Sequence, residues 1–489
     1  MTQSFGINVA TIDDAGIKAG LDALAQPPDW LVAIEDLTRL RADLERTIPE
    51  LASGELRLVA CKFKRAHVEN GTYISLCRLR IEDGDGGSAY DVDVHGVLVL
   101  PWMDAPSAPA TRSAFAELNW HCFLPDLRWE ISVEPTDTAL PAMPSLTDPD
   151  LSRALLEGAV RATRGDLADI EIAGCTPVVM RYREGRRCTI RYELEYATGR
   201  RAHWPAGMIA KVYEGDEGRG TFEAMTALWA SPLRESSTVT IAEPLAFISE
   251  QSVMVQGLVP GDRSMKEHIK TVFAGGLETG VAALASPVRK AGRGLGELHT
   301  SGALVGPVVM WEEQVAAVRH AGDELASVVP HLADAMESLV GRLETLGEVE
   351  PAGPLVPTHR SFRPAQILLD HNDIAFIDFD GFCQAEAGLD LALFRTTLGD
   401  LSLRALEVDD QPMSVQEQAA CQVRLDELCG IFLAGYEEVA EYSPERLALW
   451  DALTSAKDIL DCWRKIKFEH LERRMRFLHH KLGTISGSA

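Results

Sequence analysis

Between Trp30 and Leu51 apolar residues recur at helical spacing (Leu31, Ile34, Leu37, Leu40, Leu44) with charges between them, which predicts an amphipathic helix. The rhythm then changes to alternation in three segments, Glu55 to Val68, Tyr73 to Ile81 and Tyr90 to Leu100. A period of two, broken by Asn70-Gly71 and by a Gly/Asp-rich stretch from Glu82 to Gly87, predicts an antiparallel meander. Pro-rich stretches at Pro101 to Pro109 and Pro135 to Pro149 then punctuate the chain and predict a boundary near residue 150.

From Leu151 the pattern opens on a helix and turns to strands at Val178 to Tyr182, Cys188 to Tyr196 and Met208 to Tyr213. A helix from Gly220 to Trp229 comes next, then strand-like Ile241 to Phe247 and Ser252 to Leu258. Beyond residue 263 helical spacing dominates, interrupted by the apolar segments Ile367 to Leu369 and Ile374 to Phe379. A small sheet with one helix, followed by a mostly helical half, predicts an α+β, two-lobed arrangement. We therefore expect three regions: an N-terminal α+β domain over 1–150, a sheet-bearing lobe and hinge over 151–262, and a mostly helical lobe over 263–489.

Composition narrows the classes. Hydrophobic residues make up 46% of the 489 and charged residues 25%, ordinary globular values that exclude a disordered or fibrous chain. Lys and Arg number 47 against 73 Asp and Glu, a net charge of −26, which disfavours nucleic acid as a partner. The nine cysteines are scattered without C-x-x-C pairs or zinc spacing and read as reduced thiols of a cytoplasmic protein. No membrane span or basic, apolar targeting segment is legible.

The chemistry concentrates in His359-Arg360-Ser361-Phe362-Arg363-Pro364-Ala365-Gln366, followed after a short strand-turn-strand by Ile377-Asp378-Phe379-Asp380. These residues resemble the aminoglycoside phosphotransferase and choline kinase family, whose loop reads H-G-D-x-H-x-x-N and whose metal motif reads I-D-F-D. They also match the protein-kinase loop H-R-D-L-K-P-x-N position by position. The resemblance implies a bilobal protein-kinase-like fold over roughly residues 170 to 400, with ATP and Mg²⁺ as cofactors. It places Asp378 at the metal, with Gln366 supplying an amide oxygen where the family has Asn, and Arg363 against charge developing on the transferred phosphoryl group.

Upstream, Met208-Ile209-Ala210-Lys211-Val212-Tyr213 looks like the V-A-I-K strand, which implies that Lys211 grips the nucleotide phosphates and that Glu223 pairs with it. Gly185, in Arg183-Glu184-Gly185-Arg186-Arg187, stands where a Gly-rich loop would be; the turn either covers phosphates or is an ordinary hairpin. Gln256 and Leu258 lie in the segment resembling the hinge that meets adenine. Gly292-Arg293-Gly294-Leu295-Gly296 reads as helix because Leu295, Leu298 and His299 match the family's L-x-x-L-H helix. Pro135 to Leu140 resembles extensions found ahead of some bacterial phosphotransferase-like proteins.

Ser361 departs from the pattern, since it stands where the family has the Asp that deprotonates the acceptor hydroxyl, and a serine hydroxyl cannot take that proton as a carboxylate does. Three readings stay open. Asp380 or Glu386 orients the acceptor in its place; the protein is a pseudokinase that binds nucleotide or a protein partner without transfer; or the fold hosts another nucleotide-dependent reaction. The first gives a phosphotransferase acting on a hydroxyl of a small molecule or peptide, in natural-product biosynthesis or resistance. Asp380, Glu386 and Asp390 make the mouth acidic, which favours a cationic acceptor. A protein partner would use the N-terminal domain or the basic amphipathic helix from Trp463 to Lys481, whose alternative role is packing. Asp91, Asp93 and His95 alternate on one strand and read as its solvent side rather than a metal site.

Overall fold

Leu40 and Leu44 fall on one face of a helix, while Leu79, Val94, Trp129 and Ile131 fall on one face of alternating strands, and these two faces meet in a core. The computed structural model describes residues 15–69, 71–84, 89–104, 115, 120–133, 140–183, 185–407 and 414–486. The meander is present as β1 (Leu56–Glu69), β2 (Thr72–Asp83) and β3 (Tyr90–Leu98). It is extended by β4 (His121–Leu124) and β5 (Trp129–Ser132), giving an antiparallel sheet of order β1-β2-β3-β5-β4. Asn70, the break at 85–88 and the Pro135 to Ala139 stretch lie outside the described residues. On β3, Asp93 pairs with Arg78 (2.6 Å) and Asp91 with Arg80 (3.5 Å) on β2.

The helix expected over Trp30 to Leu51 is instead divided into Asp29–Val32, Ala33–Glu35, Leu37–Thr47 and Pro49–Ser53. Asp36 restarts it by accepting from Thr38 N (2.9 Å) and Arg39 N (3.2 Å), and Pro49, which has no N–H to donate, opens the last piece.

The chain divides into two compact units, and the division does not follow sequence order. The first comprises Met1–Thr136, Glu312–Val349 and Ala452–Ala489; the second comprises Asp137–Trp311 and Glu350–Asp451. Two segments that sequence order assigns to the helical C-terminal half thus belong with the N-terminal sheet. Within the first unit the helix Ala15–Leu24 packs on His331–Val349. The buried Tyr73 OH donates to Trp463 O (2.8 Å), and Trp463 Nε1 donates to Leu24 O (3.2 Å). The basic helix expected from Trp463 to Lys481 is interrupted at Ile466, where φ is +49°, and resumes at Leu471–Ser486. Arg473 and Lys481 are buried in it, so it packs within this unit rather than offering a basic face.

In the second unit a five-stranded antiparallel sheet runs in the order β10-β11-β8-β7-β6. Its members are β6 (Ile172–Arg183), β7 (Arg187–Tyr196), β8 (Gly207–Tyr213), β10 (Pro244–Ile248) and β11 (Val253–Gly257). One face buries Cys188, Ile190, Tyr192, Ala210, Val212 and Val255 against Leu156 and Val160 of the helix Pro149–Thr163. The other face carries Arg187, Thr189, Lys211 and Tyr213. The run Ile241 to Phe247, read as one strand, is two. β9 (Val239–Ile241) joins a second sheet, β12-β14-β15-β9, made with β12 (Arg263–Ser264), β14 (Ile367–Asp370) and β15 (Asp373–Phe376). Only after Ala242 and Glu243 does β10 begin, at Pro244. A two-stranded ladder, β13 (Leu355–Thr358) with β16 (Cys383–Glu386), frames the loop that begins at His359.

Helices dominate the rest of this unit, and Gly292, Gly294 and Gly296 do lie within one, Leu277–His299. It crosses Val415–Tyr436 so closely that a Cβ on Gly292 would sit 1.9 Å from Phe432 O and one on Gly435 2.1 Å from Arg289 O. The α+β class expected is the class observed. None of the nine cysteines is in a disulfide, and seven are buried. Among the described residues no helix is long and apolar enough to cross a membrane.

Candidate functional site

Lys211 sits on β8 between Thr189 of β7 and Met254 of β11, on the sheet face opposite the core, and is only 6% exposed. A buried ammonium needs compensating charge. It donates to Asp378 Oδ1 (2.5 Å) and Asp380 Oδ1 (2.7 Å), two carboxylates delivered by the turn after β15. Asp378 adopts φ +70°, a left-handed conformation that aspartate tolerates better than most side chains and that turns its carboxylate toward the sheet. Gln366 Nε2 donates to Asp378 Oδ2 (3.0 Å) and Tyr213 OH to Asp380 Oδ1 (3.0 Å), while Arg187 pairs with Asp380 Oδ2.

Burial alone would raise the Asp378 carboxyl, but the charges of Lys211 and Arg187 overcome it and hold it well below the usual carboxylate range. Burial likewise lowers Lys211 from its ordinary value, and the Asp378 charge opposes that fall.

Glu223, expected to pair with Lys211, is exposed. The helix Glu217–Trp229 buries Gly218, Thr221, Ala224, Met225 and Leu228, and at 3.6 residues per turn Glu223 points to solvent. Lys211 takes its carboxylates from Asp378 and Asp380 instead. In the segment expected to be a hinge, Gln256 is buried in β11 and Leu258 is 41% exposed. Gly257 N donates to Glu243 O (2.8 Å) and Leu258 N to Gly207 O (3.2 Å), so these two N–H groups are already used by neighbouring backbone. Gly185 lies at the β6–β7 turn with φ +67°, a conformation that favours glycine; Glu184 beside it is outside the described residues.

Ser361 and Arg363 lie on the loop after β13. His359 is fully buried, and its Nε2 lies 3.0 Å from Ile377 O, a group that can only accept. That bond fixes the N–H on Nε2 and leaves the Nδ1 lone pair to accept from Ser361 Oγ at 3.1 Å. Burial lowers the pKa of His359, which keeps the ring neutral. Its backbone N–H donates to Asp390 Oδ2 (2.6 Å). Asp390 also meets His299 Nε2 (3.4 Å), whose Nδ1 lies 2.9 Å from Tyr436 OH, a buried arrangement that anchors the loop.

The two carboxylates suggested as substitutes for the missing base are both engaged. Asp380 is held by Lys211, Arg187 and Tyr213. Glu386 is buried and forked onto Arg446, with Nε–Oε2 and Nη2–Oε1 both at 2.7 Å, and accepts from Gly353 N (3.2 Å). It borders a cavity of about 550 Å³ that also touches His299, Tyr436, Tyr442 and Arg446.

Asp378 and Asp380 converge on one point, which a cation already holds. Their hard oxygen donors suit Mg²⁺, which is bound through one or two carboxylates with water and substrate phosphates completing the shell. Among the described residues no group of three or more His, Cys, Asp or Glu gathers at metal spacing. Gln366 turns its NH₂ toward Asp378 and so serves first to orient that carboxylate.

No family model and no curated protein matches the sequence. Among solved structures the chain is similar to a glucosamine kinase in complex with glucosamine, ADP and inorganic phosphate. That likeness has 13% identity and TM-score 0.47, and covers 94% of this chain and 99% of that one. It is also similar to a spectinomycin phosphotransferase in complex with ADP and spectinomycin, at 10% identity and TM-score 0.40 over 70% of this chain and 98% of that one. A choline/ethanolamine kinase family protein from Mesorhizobium loti shows 15% identity and TM-score 0.41, covering 69% and 99%. Likeness at this level carries no argument about activity, which has to come from the side chains.

Sequence reasoning passed over Arg187 and Tyr213 as site residues. Their signal was present: Arg181, Arg183, Arg187 and Thr189 alternate on the two strands preceding Lys211, on the same face as the lysine.

Proposed function

We propose that this protein is an ATP- and Mg²⁺-dependent phosphotransferase that passes the γ-phosphoryl group to a hydroxyl of a small molecule or peptide. The observation that carries it is the buried Lys211 gathered against Asp378 and Asp380 from a strand 167 residues away in sequence. A scaffold has no use for an ammonium and two carboxylates desolvated together, because such a cluster is costly to bury.

Lys211 serves the nucleotide phosphates once they draw it from the two carboxylates. Asp378 and Asp380, so released, would hold Mg²⁺, which supplies neutralisation of phosphate charge when bound. Arg363 lies exposed on the same loop, two residues after Ser361. Ser361 donates its O–H to His359 Nδ1, so its oxygen lone pairs remain to accept from the acceptor hydroxyl and orient it. His359 is a poor base where it is buried, so the pair positions the acceptor, and positioning and electrostatics supply most of the rate in phosphoryl transfer.

The second reading, a pseudokinase, is favoured by Ser361, which stands where the family carries its base. Calorimetric titration of ATP with and without Mg²⁺, on the wild type and on Asp378→Ala, separates the outcomes. Metal-dependent binding that is lost in the variant, together with release of ADP on turnover, supports the enzyme. Binding without turnover on any acceptor favours the pseudokinase, and no binding at all refutes both nucleotide readings.

A further inference from the structure

Positive charge borders the loop at Ser361, and much of it is unspent. The cross-strand pairs Arg181–Thr189 and Arg183–Arg187 continue onto Lys211 and Tyr213 of β8. Directly paired residues, and residues two apart on a strand, share a face. Arg181, Arg183, Arg187 and Lys211 therefore project together, toward the turn that holds Asp378 and Asp380. Arg363 is exposed on the loop, and its carbonyl accepts from the N–H of Gln366, whose side chain bonds Asp378.

Lys211 and Arg187 are matched by the two carboxylates. Arg181, Arg183 and Arg363 have no bonded carboxylate among the described residues. Burial chiefly, and then the charges of Arg181, Arg187 and Arg363, pull the pKa of Arg183 down to about 10. Five cations exceed two carboxylates plus the roughly two negative charges of a metal-bound triphosphate. A positive excess thus remains when the nucleotide is in place. The acidic groups expected to draw a cationic acceptor are meanwhile engaged, Glu386 by Arg446, Asp380 by Arg187 and Tyr213, and Asp390 by the His359 backbone N–H and His299 in the interior.

We propose that the acceptor carries an anionic group, a phosphate or carboxylate, which Arg181, Arg183 and Arg363 hold beside the hydroxyl to be phosphorylated. This rests on the phosphotransferase reading. The acceptor oxygen bonds to the γ-phosphorus as the bond to the β–γ bridging oxygen breaks, yielding ADP and the phosphorylated acceptor, and the hydroxyl proton passes to water.

The test loads the full-length protein with Mg²⁺ and a non-hydrolysable ATP analogue, then titrates three hydroxyl probes: glycerol 3-phosphate, glycerol and choline. Binding of glycerol 3-phosphate alone is expected. Arg183→Ala and Arg363→Ala should weaken that probe at least about tenfold more than they weaken the nucleotide, while the charge control Arg319→Ala, in the other unit, changes neither. Preference for choline, no binding of the anion to the loaded protein, or equal losses for probe and nucleotide would each overturn the proposal; equal losses would make the arginines part of the nucleotide's own cradle. If no nucleotide binds, the phosphotransferase reading fails separately. Inorganic phosphate titrated into the nucleotide-free protein then decides the anion site by itself: binding lost in Arg183→Ala retains it, and no binding overturns it.

Discussion

Among single side chains, the Lys211–Asp378–Asp380 cluster makes a pH signature. The Asp378 carboxyl is lowered in the folded protein, so its stabilisation is complete above the unfolded value of about 3.9 and disappears as pH falls from there through the folded value. Melting temperatures measured from pH 7 to pH 2.5 should therefore drop below about pH 4 in the wild type and less steeply in Asp378→Asn. At neutral pH that variant, which leaves Lys211 to Asp380 alone, should lose about 2 kcal/mol in urea denaturation. Ser361 gives a second expectation. Replacing it with Asp restores a group that can take a proton, so Ser361→Asp should raise turnover about 10²-fold over Ser361→Ala. Equal rates in the two variants would show that no base is wanted there. Lys211 and Asp378 stand out in the sequence through the runs Met208 to Tyr213 and Ile377 to Asp380 that resemble kinase motifs, and the structure brings the two side chains together. The Glu223 pairing was not legible, because spacing alone does not give the phase of a helix: Thr221 two residues earlier faces inward and Glu223 does not.

Where helices and strands meet one another, the crossing of Leu277–His299 with Val415–Tyr436 leaves no room for a methyl group. Alanine improves intrinsic helix propensity over glycine by about 1 kcal/mol, yet a Cβ at Gly292 would meet Phe432 O at 1.9 Å. Gly292→Ala should therefore destabilise by about 2 kcal/mol or more despite the better helix former, as read by chemical denaturation. Sequence reading identified this run as helix rather than a nucleotide loop. It did not find the partner, since Phe432 and Gly435 lie some 140 residues on and nothing local announces the contact. The strands show the same limit. The meander up to β3 follows from alternation, whereas β4 and β5 are four residues each, too short for a period to declare itself.

For the chain as a whole, the grouping of distant segments decides what can be removed. The N-terminal sheet shares its unit with Glu312–Val349 and Ala452–Ala489, and Trp463 is tied by hydrogen bonds to both Tyr73 and Leu24. A chain of residues 137–489, cut at the end of the N-terminal sheet region, should aggregate on expression, because those two segments would expose the faces that now cover the sheet unit. Co-expression of residues 1–136 in trans is the check, and a soluble, nucleotide-binding 137–489 fragment would refute the expectation. No pattern in the sequence marks this grouping, since periodicity shows which side of a helix is buried and not what buries it.

The same interleaving sets a schedule for synthesis. The sheet strands leave the ribosome early, but the last segment of their unit begins only at residue 452. At about 5–20 residues per second the strands wait roughly fifteen to sixty seconds for it. Throughout that time the second unit is being completed between them and their missing helices. The nascent N-terminal sheet is thus a client for holding chaperones, and its edge strand β1 is the surface they would have to shield.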